Sequence, residues 1–185
     1  METPDRLDVR IHGRGGQGTV TLAALLVDAA ADDGWQALGF PSFGTERTGA
    51  PVAAFVRLSR NPIRDRGEVR APGVVLVQDP TLVGAVDVLQ GMTTDGLMLL
   101  NAANVPARLS TSRVRTLEAT ELALAHIGSA KTSTAMLGFF AGATGAVSIE
   151  AVCRAIARRF TGEVAVKNEA LARAAFSVAA ERAAA

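Results

Sequence analysis

Tyrosine is absent from the 185 residues, and cysteine, tryptophan and histidine number only one, one and two. Each shortage excludes a class of chemistry. A single cysteine, Cys153, makes no internal disulfide and cannot hold an iron–sulfur cluster alone. Two histidines and one cysteine are too few for a zinc site built from this chain alone. Aromatics at 4%, with no tyrosine, leave little to stack on RNA bases. A formal net charge of +1 produces no field that would drive nucleic-acid or membrane binding. The longest apolar tract, near Met136 to Val147, is too short and too glycine-rich to span a bilayer. Met1-Glu2-Thr3-Pro4-Asp5 has neither the basic region nor the apolar run of a signal peptide, so a cytoplasmic protein is expected.

What is present is apolar: 49% hydrophobic residues and a mean hydropathy of +0.25. That suffices for one well-buried α/β domain over residues 1–185, with no repeat and no linker. So few charges on so apolar a chain point to a surface covered by a partner.

The pattern with most content lies near the start, in Val9-Arg10-Ile11-His12-Gly13-Arg14-Gly15-Gly16-Gln17-Gly18-Thr19. A short apolar strand runs into four glycines, and Thr19 to Ala30 follows as an Ala-rich helix. Strand, glycine turn and helix open a nucleotide-binding unit. Glycines allow positive φ and close approach to a ligand, and the N–H groups at the helix start favour an anion. The spacing Gly13-x-Gly15-x-x-Gly18 fits the dinucleotide fingerprint, but the acid that should end the second strand is missing. That strand, Trp35 to Phe40, ends in Pro41, and Asp32 and Asp33 precede it. A P-loop reading fails because Thr19-Val20 stands where Lys-Ser/Thr is needed. Two readings remain: a turn that cradles the phosphate of an unassigned ligand, or a tight turn that packs helix on sheet.

Downstream, Gly34 stops the helix. Pro41 to Pro51 is a long loop, and Val52 to Ser59 alternates as a strand. Arg60, Arg64, Arg66 and Arg70 interleave with Asp65 and Glu68 as a self-paired, solvated stretch. Val74 to Val77, Leu97 to Leu100 and Val114 to Leu117 read as strands of a parallel sheet, with Thr81 to Gln90 and Glu118 to Ile127 as helices. The tail is helical: a helix from Thr132 or Ser133, a second capped by Ser148 with Cys153 on its core face, and a last one over Val164 to Arg182. The expected class is α/β, a single three-layer Rossmann-like domain with a mostly parallel sheet and a helical C-terminal tail. In such sheets ligands sit at the carboxyl ends of strands. The candidate positions are therefore Gly13 to Gly18, Pro41 to Thr48, Gln78 to Thr81 and Asn101 to Asn104. His12 stands beside the turn, where it either meets a ligand or packs. His126 reads as structural, and Asp79 and Glu46 as carboxylates that orient polar groups. No nucleophile–base pair is visible.

Three segments in register carry a resemblance: His12-Gly-Arg-Gly-Gly-Gln-Gly18, Phe40-Pro-Ser-Phe-Gly-Thr-Glu-Arg-Thr-Gly-Ala-Pro51 and Gln78-Asp-Pro-Thr81. Asn101, Lys131-Thr-Ser-Thr-Ala-Met-Leu-Gly138 and Lys167-Asn168 extend it. Together they resemble the gamma subunit of the pyruvate/2-oxoacid:ferredoxin (acceptor) oxidoreductases. The resemblance implies a subunit that scaffolds a multisubunit, CoA-dependent enzyme and helps to bind coenzyme A, and that is inactive when isolated. Thiamine diphosphate and iron–sulfur clusters would belong to alpha, beta and delta partner subunits or fused equivalents, with ferredoxin as electron acceptor. It assigns cofactor binding to Gly13, Arg14, Gly15, Gly16, Gln17, Gly18 and Thr19, and an interface or substrate loop to Phe43, Glu46 and Arg47. No catalytic or metal-ligating residue falls in this chain. Many relatives carry Arg-Arg where Arg47-Thr48 stands here. The alternatives are the corresponding subunit of an indolepyruvate-type oxidoreductase, or a stand-alone nucleotide-binding module. The identity of the oxoacid is set mostly by other subunits.

Overall fold

Strand β1 (Arg6–Arg14) lies inside a six-stranded sheet of order β2-β3-β1-β4-β5-β6. The other strands are β2 (Gln36–Pro41), β3 (Pro51–Ser59), β4 (Val74–Val77), β5 (Leu97–Asn101) and β6 (Val114–Leu117). A computed structural model describes residues 5–42, 49–109 and 113–184. Strand β1 pairs antiparallel with β3, Val9 opposite Val56, and parallel with β4, Val9 opposite Val74. Strands β4, β5 and β6 continue parallel, while β2 closes the other edge antiparallel to β3.

Five helices follow the sequence pattern closely: α1 (Thr19–Asp32), α2 (Ala119–Ile127), α3 (Ser133–Thr144), α4 (Ile149–Arg159) and α5 (Gly162–Ala184). In α1 the apolar spacing places Leu22, Leu25, Leu26, Ala29 and Ala30 on one buried stripe. Gly34, at φ 79°, ends it, with its N–H donating to Ala31 and that of Trp35 to Ala30. Ser148 caps α4 by accepting from the Ala151 N–H at 3.1 Å. Asp33 binds both the Ser148 N–H and its hydroxyl, which fastens the end of α1 to the start of α4.

One large core joins these helices to Val9, Ile11, Ala54, Val56, Leu58, Leu76 and Leu99 of the sheet. The other face carries a smaller cluster of Val75, Val77, Met98 and Leu100 under Leu82, Val83, Val88 and Leu109. The second layer there is built from turns. The helix expected over Thr81 to Gln90 is a single 3-10 turn, Pro80–Leu82, followed by irregular chain. Asp79 tightens that turn by accepting from the Thr81 N–H, and Gly84 at φ 113° turns the chain out of any helix.

Within the stretch of interleaved charges, Asp65 does pair, but with an arginine outside it. Arg57, 3% exposed, binds Asp8, Asp65 and the carbonyls of Gly67 and Glu68. Cys153 is buried in the core, as its position on α4 implied. Among the described residues no helix is long and apolar enough to cross a membrane.

Candidate functional site

From the turn after β1 the chain passes through α1 to β2 and β3 on one side, then returns to β4 and the rest on the other. The carboxyl ends of β1 and β4 are thus a topological switch point, where a crevice opens in sheets of this kind. The glycine turn sits there. Gly16 at φ 93° and Gly18 at φ 83° hold left-handed conformations, so their lack of a side chain is needed.

The turn is tied on two sides. The Gly15 N–H donates to Ala50 at 2.9 Å and the Gly49 N–H to Gly15 at 3.1 Å, which carries the β1–β3 pairing past the strand end. On the β4 side, Asp79 gathers the turn's side chains. Arg14 Nε lies 3.1 Å and Gln17 Nε2 2.9 Å from its Oδ2. Thr81 donates its N–H and its hydroxyl to Oδ1. Burial raises the Asp79 pKa, but the hydrogen bonds from Thr81 and Gln17 and the charge of Arg14 outweigh it and hold the carboxyl below its ordinary value. Gln17 folds back so that its Oε1 accepts the Arg14 N–H at 2.8 Å. Gln78 donates to the Gln17 carbonyl and to the Thr132 hydroxyl, and Asn101 donates to the Gln78 carbonyl at 2.9 Å.

Above the turn opens a groove of about 460 Å³, lined by Gly16, Gln17, Gly18 and Thr21 on one side and by Lys131, Ser133, Thr134 and Asn168 on the other. Two helices begin at it, α1 and α3. Neither has a side-chain cap. Their first-turn N–H groups and the positive ends of both dipoles therefore face one space, and Lys131 lines it. The Ser133 hydroxyl donates to Gly18 at 3.1 Å and locks the two helix starts together. Asn168 accepts from the Thr134 hydroxyl and donates to Val164, which ties α5 to the rim. Ile127, Phe160 and Val164 supply an apolar wall. Such a groove suits a ligand with one anionic end and one uncharged arm.

The sequence-derived residues divide. Gly16, Gln17 and Gly18 line the groove. Gly13 lies beneath the turn, where an added Cβ would strike the Thr19 hydroxyl. The Thr19 hydroxyl itself is buried, with no hydrogen-bond partner among the described residues. Gly15 and Gln17 donate their N–H groups to the backbone at Ala50 and Arg14, which among the described residues leaves those of Gly16, Gly18 and the first turn of α1 as donors. Arg14 is engaged with Asp79, Thr81 and the Gly49 carbonyl. Its charge is balanced there, and among the described residues Lys131 is the cation that lines the groove.

Phe43, Glu46 and Arg47 lie outside the described residues. His12 points to the opposite face, where its Nε2 accepts from the buried Arg10 at 3.0 Å. Arg10 also caps the carbonyls of Val88 and Gln90. Burial, aided by the Arg10 charge, pushes the His12 pKa down to about 4, so it is neutral. The sequence places a helix start at Thr132 or Ser133 but assigns no binding role to Lys131, Ser133 or Thr134.

A cavity of about 490 Å³ at the other end of the strands is walled by Leu7, Gly73, Val74, Leu97 and Ala143. Its charged members are paired, Arg6 with Asp8 and Asp95 with Arg113.

Residues 8–178 match the family described as pyruvate ferredoxin/flavodoxin oxidoreductase. Pyruvate synthase subunit PorC of Methanothermobacter marburgensis is 45% identical over 170 residues, which is 92% of this chain and 96% of that one. The crystal structure of the pyruvate oxidoreductase subunit PORC of Thermotoga maritima is 31% identical, with a TM-score of 0.82 over 94% of this chain and 97% of its own. The 2-oxoglutarate:ferredoxin oxidoreductase of Magnetococcus marinus, solved with 2-oxoglutarate, coenzyme A and succinyl-CoA bound, matches 95% of this chain with 31% of its own length. The TM-score is 0.80 and the identity 16%, a likeness of fold.

Proposed function

Because this chain belongs to the pyruvate ferredoxin/flavodoxin oxidoreductase family, we propose that it is the gamma subunit of a CoA-dependent 2-oxoacid:ferredoxin oxidoreductase of the pyruvate type. Its work there is to hold coenzyme A and to join the partner subunits. The observation that carries the binding role is the groove where two helices without side-chain caps begin beside Lys131.

Coenzyme A supplies the thiol that takes up the acyl group. The residues of this chain bind and orient the rest of it. The N–H groups of Gly16, Gly18 and the starts of α1 and α3 would donate to phosphate oxygens, and Lys131 would balance their charge. The apolar wall of Ile127, Phe160 and Val164 suits the uncharged arm. Each helix start contributes about 0.3–1 kcal/mol toward an anion, more where the site is partly buried.

Thiamine diphosphate and the iron–sulfur clusters are assigned to the partner subunits. Clusters are held by several cysteine thiolates, and this chain has only Cys153, which is buried. The scarcity of cysteine agrees with work in a reducing compartment, and the cytoplasm is the proposed location. The single domain covers residues 1–185.

The test is the KM for CoA of the reassembled complex carrying Lys131→Ala, measured beside the KM for the oxoacid. Loss of a charge-assisted contact predicts about a tenfold to hundredfold rise in the CoA value alone. An unchanged CoA value in a normally assembled complex would remove the groove as the site.

A further inference from the structure

Asp79 has four donors on one carboxylate, and two of them belong to the glycine turn. Arg14 Nε and Gln17 Nε2 both meet Oδ2, at 3.1 and 2.9 Å. Thr81 fills Oδ1 with its N–H at 2.9 Å and its hydroxyl at 2.6 Å. The side chain is 14% exposed, so these contacts sit in a partly desolvated place where charge-assisted hydrogen bonds are strong. Asp79 does not line the groove, whereas Gln17 does.

The Gln17 amide works at both ends. Its Nε2 donates to Asp79 and its Oε1 accepts the Arg14 N–H at 2.8 Å. An amide has one donor end and one acceptor end, so the acceptor at position 79 decides which end faces Arg14. With the amide set, the N–H of Gln17 closes on the Arg14 carbonyl at 3.0 Å, and Gly16 and Gly18 take their left-handed conformations on either side. Two positive-φ glycines flanking one residue have many other conformations available. We propose that Asp79 is a positioning residue of the groove: through Gln17 and Arg14 it holds the glycine turn in the shape whose N–H groups meet the ligand's phosphate. The inference rests on the reading of the groove as the CoA site.

The substitution Asp79→Asn keeps the volume and replaces one acceptor atom with an NH2 group. That group must face either the Arg14 and Gln17 donors or the Thr81 donors, and both choices set donor against donor. The experiment measures CoA KM, oxoacid KM and kcat at saturating CoA in complexes carrying Asp79→Asn, Gln17→Ala, both together, or Lys131→Ala. Asp79→Asn and Gln17→Ala are each expected to raise the CoA KM about tenfold, with the other two constants unchanged. The double variant is expected to be no worse than the weaker-binding single one, because both break the same link. An unchanged CoA KM in Asp79→Asn, while Lys131→Ala raises it, overturns the positioning role and leaves the groove assignment standing. If Lys131→Ala also has no effect, the groove assignment falls and this inference with it. Effects of Asp79→Asn and Gln17→Ala that add in full, or that extend to the oxoacid KM and kcat, also overturn it. If Asp79→Asn fails to assemble, Gln17→Ala decides alone, since it leaves the Asp79–Thr81 contacts intact.

Discussion

Gly16 and Gly18 share a left-handed backbone but differ in what a methyl group would meet. At Gly16 an added Cβ finds open space, and at Gly18 it comes within 2.5 Å of the Ser133 hydroxyl. Gly16→Ala is therefore expected to destabilise the chain by about 1–2 kcal/mol, the strain of positive φ alone. Gly18→Ala is expected to exceed that, because it also breaks the bond from Ser133 to the Gly18 carbonyl. Urea unfolding of the two variants beside the parent measures the difference, and equal losses would contradict it.

His12 gives a second expectation at this scale, through pH. Its folded pKa is about 4 against an ordinary 6.5. A base with a lowered folded pKa contributes nothing above the unfolded value, and stability is lost as pH falls from about 6.5 toward about 4. The limiting slope is about 1.4 kcal/mol per pH unit. Stability measured against pH is expected to fall less steeply in His12→Gln over that window, and identical slopes would rule His12 out as the cause. The glycines of the groove were legible because their spacing is local. Lys131 and Ser133 were not, because more than a hundred residues separate them from the turn and only the sheet topology brings them to it.

Between elements, α3 and α5 approach each other closely. A Cβ at Gly138 would run into the Ala172 carbonyl, and one at Gly142 would lie 2.5 Å from that of Phe176. A backbone carbonyl inside a helix has no rotamer to give way, so overpacking here takes the upper end of its usual range. Gly138→Ala is expected to destabilise the chain by about 3 kcal/mol, read as a shift of the denaturant midpoint. A loss under about 1 kcal/mol would mean that the helices separate easily. By sequence pattern, Gly142 and Gly145 both read as helix enders. Gly145 does end α3, at φ 64°, while Gly142 stays inside it as a packing surface. A glycine's neighbours in space decide between those two roles, and they are set by α5, far along the chain. The strands were readable because buried parallel strands are short and wholly apolar. The stretch Thr81 to Gln90 misled because its apolar spacing suits a helix, whereas Asp79, Pro80 and Gly84 fix a tight turn instead.

At the scale of the whole molecule, no nucleophile–base pair lines the groove among the described residues. The isolated chain is expected to show no oxidation of pyruvate with a viologen dye as acceptor, and turnover by the chain alone would contradict the assignment. Its helices all pack on one side of the sheet, which leaves Leu38, Phe40 and Ala53 only half-buried on the other. Both stems of the connection between β2 and β3 are stitched into the sheet. The Ser42 N–H donates to Ala53, and the Gly49 N–H to Gly15. Six residues, 43–48, lie between those stems. Closing a longer loop over the same stems costs little, about 0.6 kcal/mol for each doubling of its length. Insertions in this hairpin would therefore leave the glycine turn in place.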